Sequence, residues 1–287
     1  MAICNRVKII SDSTCDLSPE LIAKYNIDIL PLHILLGENE YEDGKNIAPD
    51  QIYAWSDEHK TTPKTSAPSL ETAIELFRPY VKERREVVCF SISSSMSTSG
   101  NVMRLAAEEL EASDLITVVD SASLSTGIGL LVIEASIMAE NHCSAKEIVS
   151  AIETLKPKVR ASFVVDTLTY LYRGGRCNAV AAMAGSVFKL HPKIVVENGA
   201  MNADKKYRGK IAAVIMAYVK DMEEDLKDAR RDRVFITHSG CDRAIVDAVH
   251  SYLESLGVFH EILETQAGGV ISSHCGPGTL GVLFIAK

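Results

Sequence analysis

Val87-Val88-Cys89-Phe90-Ser91-Ile92-Ser93-Ser94-Ser95-Met96-Ser97-Thr98-Ser99-Gly100 is the stretch from which the fold can be read. Val87, Val88, Phe90 and Ile92 are apolar and β-preferring, so the run opens as a short strand. From Asn101 the sequence NVMRLAAEELEA has helical spacing and good helix formers. Ser97, Thr98 and Ser99 therefore stand near the helix start. Hydroxyls there cap free backbone N–H groups, and those N–H groups with the positive end of the helix dipole form an anion site. A plain capped turn and a ligand site are both open readings of this stretch alone.

Outward from it the chain keeps alternating strand and helix. A buried strand is expected over 7–10, running into Ser11-Asp12-Ser13-Thr14-Cys15-Asp16, with a helix over 19–25 capped by Ser18 and opened by Pro19. A strand follows over 27–36, and Gly37-Glu38-Asn39-Glu40 turns into a hairpin arm around Tyr41. Helices are predicted over 49–59 and 69–83, the second capped by Ser69 and kinked or broken at Pro79. Between them, residues 61–69 read as an extended loop, because residues before proline are pushed out of the helical region. Next come a strand over 115–119, an apolar helix over 125–140, and a helix that starts at the capping box Ser144-Ala145-Lys146-Glu147 and ends near Pro157.

The second half has a different texture. A strand is predicted over 159–165, a helical turn over 167–172, the loop Arg173-Gly174-Gly175-Arg176, and a small-residue helix over 179–189. Asn198-Gly199, between Ile194-Val195-Val196 and Ala200-Met201-Asn202, is a hairpin signal. A long helix over 210–229, a strand over 233–237, a helix over 242–255 and strands over 258–263 and 279–286 complete the chain. The expected class is α/β in two domains, parted at Lys156-Pro157-Lys158. Residues 1–157 form a Rossmann-like parallel domain, residues 158–287 an α+β domain, and a ligand crevice lies between them.

Composition narrows the function. The 287 residues are 47% apolar and 24% charged, as in an ordinary globule, and the net charge of −8 argues against nucleic acid as a partner. The N-terminal residues lack the apolar core of a signal peptide. The longest apolar run, 127–139, is too short for a membrane span and contains Glu134, so a cytoplasmic protein without a transmembrane segment is expected. Seven cysteines without a C-x-x-C pair suit reduced thiols rather than disulfides or a metal site; Cys15 and Cys275 read as small fillers.

Gly276-Pro277-Gly278-Thr279-Leu280-Gly281 satisfies G-x-G-x-x-G but precedes a strand instead of a helix, so it is not a dinucleotide site. There is no P-loop, no H-E-x-x-H and no G-x-S-x-G. A Ser97–His274–acid triad is spatial and stays open. Asp12, Ser13, Thr14 and Asp16 follow the first strand at its carboxyl end, where open α/β sheets place ligands, but Asx and Ser turns would use the same residues.

Thr65-Ser66-x-Pro68-Ser69, then the Ser97-Thr98 helix start, Gly174-Gly175-Arg176, and His274-x-Gly276-Pro277-Gly278 occur in this order after Ser11-Asp12-Ser13-Thr14-Cys15-Asp16. On these motifs, spread from Ser11 to Gly281, the chain resembles the DegV family of bacterial fatty-acid-binding proteins, which includes the lipid-binding subunit of two-component fatty acid kinases. The resemblance implies that Thr65 and Ser97 hold a fatty acid carboxylate with the Thr98 N–H as helper, and that Ser66 and His274 also belong to the ligand site. Arg173, Arg176 and Arg208 would lie near the head group or the face that docks the kinase. Much of the family has Ser-Gly-Thr where this chain has Ser97-Thr98-Ser99, a departure that could narrow the head-group pocket.

The function implied is a binding subunit, with no catalytic residue, metal or cofactor of its own. It would present a long-chain fatty acid to a separate ATP-dependent kinase, giving an acyl phosphate for phospholipid synthesis. Burying a tail of about sixteen carbons at ~0.8 kcal/mol per methylene supplies roughly 11 kcal/mol before association costs. Alternatives are a stand-alone serine acyl-transfer or hydrolytic enzyme, with Ser97 as nucleophile and His274 as base, and a carrier of another small carboxylate or polyol. Read without the resemblance, His274 would hold the Gly-Pro-Gly turn through backbone hydrogen bonds, and Arg208 would belong to a basic helix start.

Overall fold

Strands buried along their whole length are covered on both faces, and two such strands make the centre of the first sheet. β1 (Lys8–Asp12) is buried throughout, with β2 (Asp28–Leu30) parallel to it on one side. The structure is a computed structural model that describes residues 7–176 and 190–287; Cys4, Cys177 and the helix expected over 179–189 lie outside the described residues. Two short antiparallel strands, β3 (His33–Leu36) and β4 (Asn39–Glu42), come next, and β5 (Lys64–Ser66) pairs with β3. β6 (Val87–Ser91), also buried throughout, and β7 (Ile116–Asp120) complete a four-stranded parallel sheet ordered β2-β1-β6-β7.

The second sheet is built from β8 (Val159–Val164), β9 (Leu190–Glu197), β10 (Ala200–Arg208), β11 (Ala229–Ser239), β12 (Glu261–Gln266) and β13 (Thr279–Ala286). Its order is β10-β9-β8-β13-β11-β12, antiparallel except between β11 and β12. Asn198 and Gly199 join β9 to β10 at φ 51° and 79°. Positive φ at both central residues is what a two-residue hairpin of this hand requires, and this is why Asn-Gly announces it. The fold is thus mixed α/β, with one parallel and one mixed sheet.

One helix serves both sheets. Thr126–Glu140 is apolar around its whole circumference and packs on β1 and β6 on one side and on β8 and β13 on the other. Glu134, the charge within it, is neutralised by Arg230 at 3.0 Å and by Arg233. Among the described residues, no helix is long and apolar enough to cross a membrane.

Several expected elements are revised. The strand expected over 27–36 is two strands, β2 and β3, parted near Pro31, which has no N–H to carry a ladder onward; the two halves join different sheets. The extended loop over 61–69 contributes β5. Leu70–Lys82 remains one helix through Pro79, which lies close enough to its end to forfeit only one backbone bond. The long helix expected over 210–229 is two, Ile211–Asp221 and Glu223–Lys227, because the chain turns at Met222 to bury Met222, Leu226 and Ala229 against the second sheet. Arg208 consequently ends a strand, not a basic helix start. The serine-loop helix begins at Ser99 instead of Asn101, and β12 starts three residues later than the strand expected from 258. A short helix, Gly269–Cys275, carries His274.

Candidate functional site

The strand-to-loop junction of β6 opens onto a chamber of about 420 Å³. That volume is within the range of about 300–1,000 Å³ usual for small-molecule sites. Thr65 and Ser66 reach it from β5, Ser94 to Thr98 from the loop after β6, and Val270, Ile271, His274 and Cys275 from the short helix. Leu32, Ile92, Leu124, Leu171 and Met201 complete an apolar wall. Among the described lining residues, the one permanently charged side chain is Arg176, whose Nη1 donates to the Gly174 carbonyl at 2.8 Å.

The polar cluster is centred on a contact between distant segments. Thr65 Oγ1 and His274 Nε2 lie 2.8 Å apart. Burial, helped by the nearby Arg176 charge, lowers the imidazole to about 4, so it is neutral at physiological pH. Its Nδ1 is buried without a hydrogen-bond partner among the described residues, and a Cβ on Gly174 would stand 2.3 Å from that atom, so only glycine fits there. The tautomer that satisfies this arrangement has Nε2–H donating to Thr65 Oγ1. The threonine hydrogen is then free to be donated into the chamber. Ser97 Oγ accepts the Ser99 N–H at 3.2 Å, which leaves its own hydrogen available in the same way. Thr98 is the N-cap residue, and its side chain makes no capping bond.

The Ser97–His274–acid triad does not form. Nε2 of His274 is committed to Thr65, and among the described residues no carboxylate meets Nδ1 to orient the ring as a general base. Nor does His274 hold the Gly-Pro-Gly turn through backbone bonds. Thr65, Ser66, Ser97, Thr98, His274 and Arg176 converge on one chamber. Arg173 and Arg208 are exposed and do not line it. No cluster of His, Cys, Asp or Glu among the described residues could hold a metal ion. Cys15 and Cys275 are buried, and burial pushes the Cys15 thiol up to about 12.

The loop after β1 belongs to the scaffold of the site. Asp12 accepts the Ile92 N–H at 2.9 Å as well as the N–H and hydroxyl of Thr14. Asp16 accepts the Gly268 N–H at 2.9 Å and the Ser125 hydroxyl at 2.5 Å. Ser13 donates to Asp43 at 2.8 Å and accepts the Leu32 N–H at 3.1 Å, while Asp43 also accepts the Gly269 N–H at 2.7 Å. The three carboxylates thereby fix Leu32, Ile92 and the short helix, which are chamber walls. Burial raises all three, Asp43 to about 6. Sequence reading missed Asp43, which has no motif around it. It also missed that Ser93 and Ser95 donate to the Gly199 carbonyl, docking the β9–β10 hairpin and with it Met201. The hairpin signal was legible; its docking partner was not.

The DegV family model, described as "Uncharacterised protein, DegV family", matches residues 6–287. A DegV domain-containing protein of Clostridium perfringens is 29% identical over 99% of this chain and 99% of its own length. A protein of Thermotoga maritima named fatty acid-binding protein is 31% identical, covering 96% of each chain. Among solved structures, a DegV family protein from Thermus thermophilus, described with fatty acid binding, superposes with TM-score 0.90 at 29% identity, over 98% of this chain and 100% of that one. A stearic acid-binding protein from Eubacterium ventriosum gives TM-score 0.86 at 30% identity, over 98% of each chain.

Proposed function

This chain belongs to the DegV family, and from that premise we propose that it binds a long-chain fatty acid and presents it to a separate ATP-dependent kinase for conversion to acyl phosphate. The supporting observation is that Thr65 and Ser97 each keep a hydroxyl hydrogen free at the wall of a chamber whose far side is apolar. Together with the start of the helix Ser99–Glu109 and the Arg176 charge, these donors suit a buried carboxylate, whose desolvation must be offset by several charge-assisted hydrogen bonds. Leu32, Ile92, Leu124, Met201 and Ile271 suit an aliphatic tail and offer a polyol nothing. In this reading residues 1–157 carry the head-group loops and residues 158–287 cover the tail. The neutral His274 orients Thr65 and does not act as a base.

The chain is then a cytoplasmic binding subunit serving phospholipid synthesis, with no cofactor. Arg176 neighbours the head group, whereas the exposed Arg173 and Arg208 are free to meet a phosphate-bearing or acidic partner. Denaturing extraction of the purified protein followed by mass spectrometry tests the carrier reading. Stoichiometric fatty acid is expected; no recovered lipid, with no melting shift on adding fatty acids, would sink it. Arg208→Ala should slow kinase-coupled turnover and leave fatty acid affinity within about twofold. Equal loss of both would move Arg208 into the pocket.

A further inference from the structure

We propose that the tail of the bound fatty acid ends in a second, smaller chamber, and that Phe163, Gly281 and Leu283 on the six-stranded sheet set the longest chain this protein accepts. The inference rests on the fatty acid reading above and deepens it to chain-length selection. Behind the main chamber is a cavity of about 20 Å³ that shares Leu124, Ile271 and Cys275 with it. These three side chains form the partition, and the tail must pass them to go further.

A cavity needs about 10–15 Å³ by this measure to hold one water-sized group. The second chamber therefore has room for about one chain-terminal methyl and no more. Its wall carries hydroxyls, yet all of them are engaged. Ser125 donates to Asp16 at 2.5 Å, Thr237 bonds Thr126 at 2.6 Å, Ser239 donates to the Gly276 carbonyl at 2.8 Å, and Thr279 donates to the Cys275 carbonyl at 3.0 Å. His238 turns its Nε2 toward Glu264 at 3.5 Å. Its buried Nδ1 has no hydrogen-bond partner among the described residues, but a wall whose hydroxyls are all engaged takes a methyl group more readily than water.

The floor is also rigid. β13 and β8 approach so closely that a Cβ on Gly281 would stand 2.8 Å from the Ser162 carbonyl and 3.1 Å from Phe163 Cβ. Phe163 and Leu283 are buried, packed in the central cluster with Leu124 and Ile271. A chain with one methylene too many finds no space that can open without moving a sheet.

The test is a binding series of saturated fatty acids from lauric to arachidic on the wild type, Phe163→Leu and Ala267→Val, whose substitutions enlarge and shrink the second chamber. Wild-type affinity should rise by about fourfold per added methylene up to one length and fall beyond it. The optimum should move to longer chains in Phe163→Leu and to shorter ones in Ala267→Val. In parallel, a fatty acid with a diazirine on its terminal carbon should crosslink wild-type protein at the peptides containing Phe163 or Leu283, a readout that needs no variant to fold. An unchanged optimum in folded variants, or crosslinks confined to residues of the main chamber, overturns the inference while leaving the carrier reading intact. Failure of the wild type to bind any member of the series overturns both.

Discussion

The loops after β1 and after β6 look alike in sequence and do opposite work. Both leave neighbouring parallel strands at their carboxyl ends, and both are rich in small polar residues. The first contains carboxylates. Once buried, Asp12 and Asp16, with Asp43 beside them, draw in N–H and hydroxyl groups from Ile92, Ser125, Gly268 and Gly269, Ser13 takes the Leu32 N–H, and the loop closes into scaffold. The second contains only hydroxyls. A hydroxyl that accepts one bond still has a hydrogen to give, so Ser97 can both cap a helix N–H and face a ligand. Carboxylates organise the walls; hydroxyls line the chamber with hydrogens to spare.

The largest effect should come from the first loop. Asp12→Ala strands the Ile92 N–H and the Thr14 donors in a buried place, and urea denaturation should read a loss of about 3 kcal/mol. A loss under about 0.5 kcal/mol would mean the carboxylate is not holding the wall. Ser97→Ala should divide the phenotype the other way. Fatty acid affinity should fall by roughly five- to 150-fold, while stability changes by about 1 kcal/mol at most, the cost of one uncapped N–H. If the two variants lost stability alike, the contrast between the loops would collapse.

A titration sharpens the contrast. Asp43 is raised from 3.8 to about 6 by burial, so its favourable contribution is complete below 3.8 and is lost as pH rises through about 6. Asparagine cannot ionise. The stability advantage of wild type over Asp43→Asn should therefore shrink by melting measurements across that window as pH rises, and an advantage that grows with pH would reverse the assignment. The smallest effect belongs to the hairpin that the serine loop holds. Gly199→Ala places a side chain at φ 79° and 2.6 Å from Ser93 Oγ, and should cost about 1 kcal/mol with a modest weakening of lipid affinity through Met201. No change in either would show that the hairpin contact is incidental.

The amino-acid sequence by itself determined the alternation of strands and helices, the cap at Ser18, the capping box at Ser144 and the Asn198-Gly199 hairpin. Each of these signals acts over a few residues, through a side chain reaching its own backbone or a φ that only certain residues adopt. It also carried Thr65, Ser97 and His274 as members of a site, through a resemblance and not through any contact it could specify. Only the tertiary structure decided that Thr65 meets His274, 209 residues away, and that Asp16 meets Gly268, 252 residues away. Such pairs depend on the sheets being closed around the helix Thr126–Glu140, where burial turns an ordinary aspartate into a group that must collect donors. Sequence marks which residues can do this chemistry; the removal of water decides which of them must.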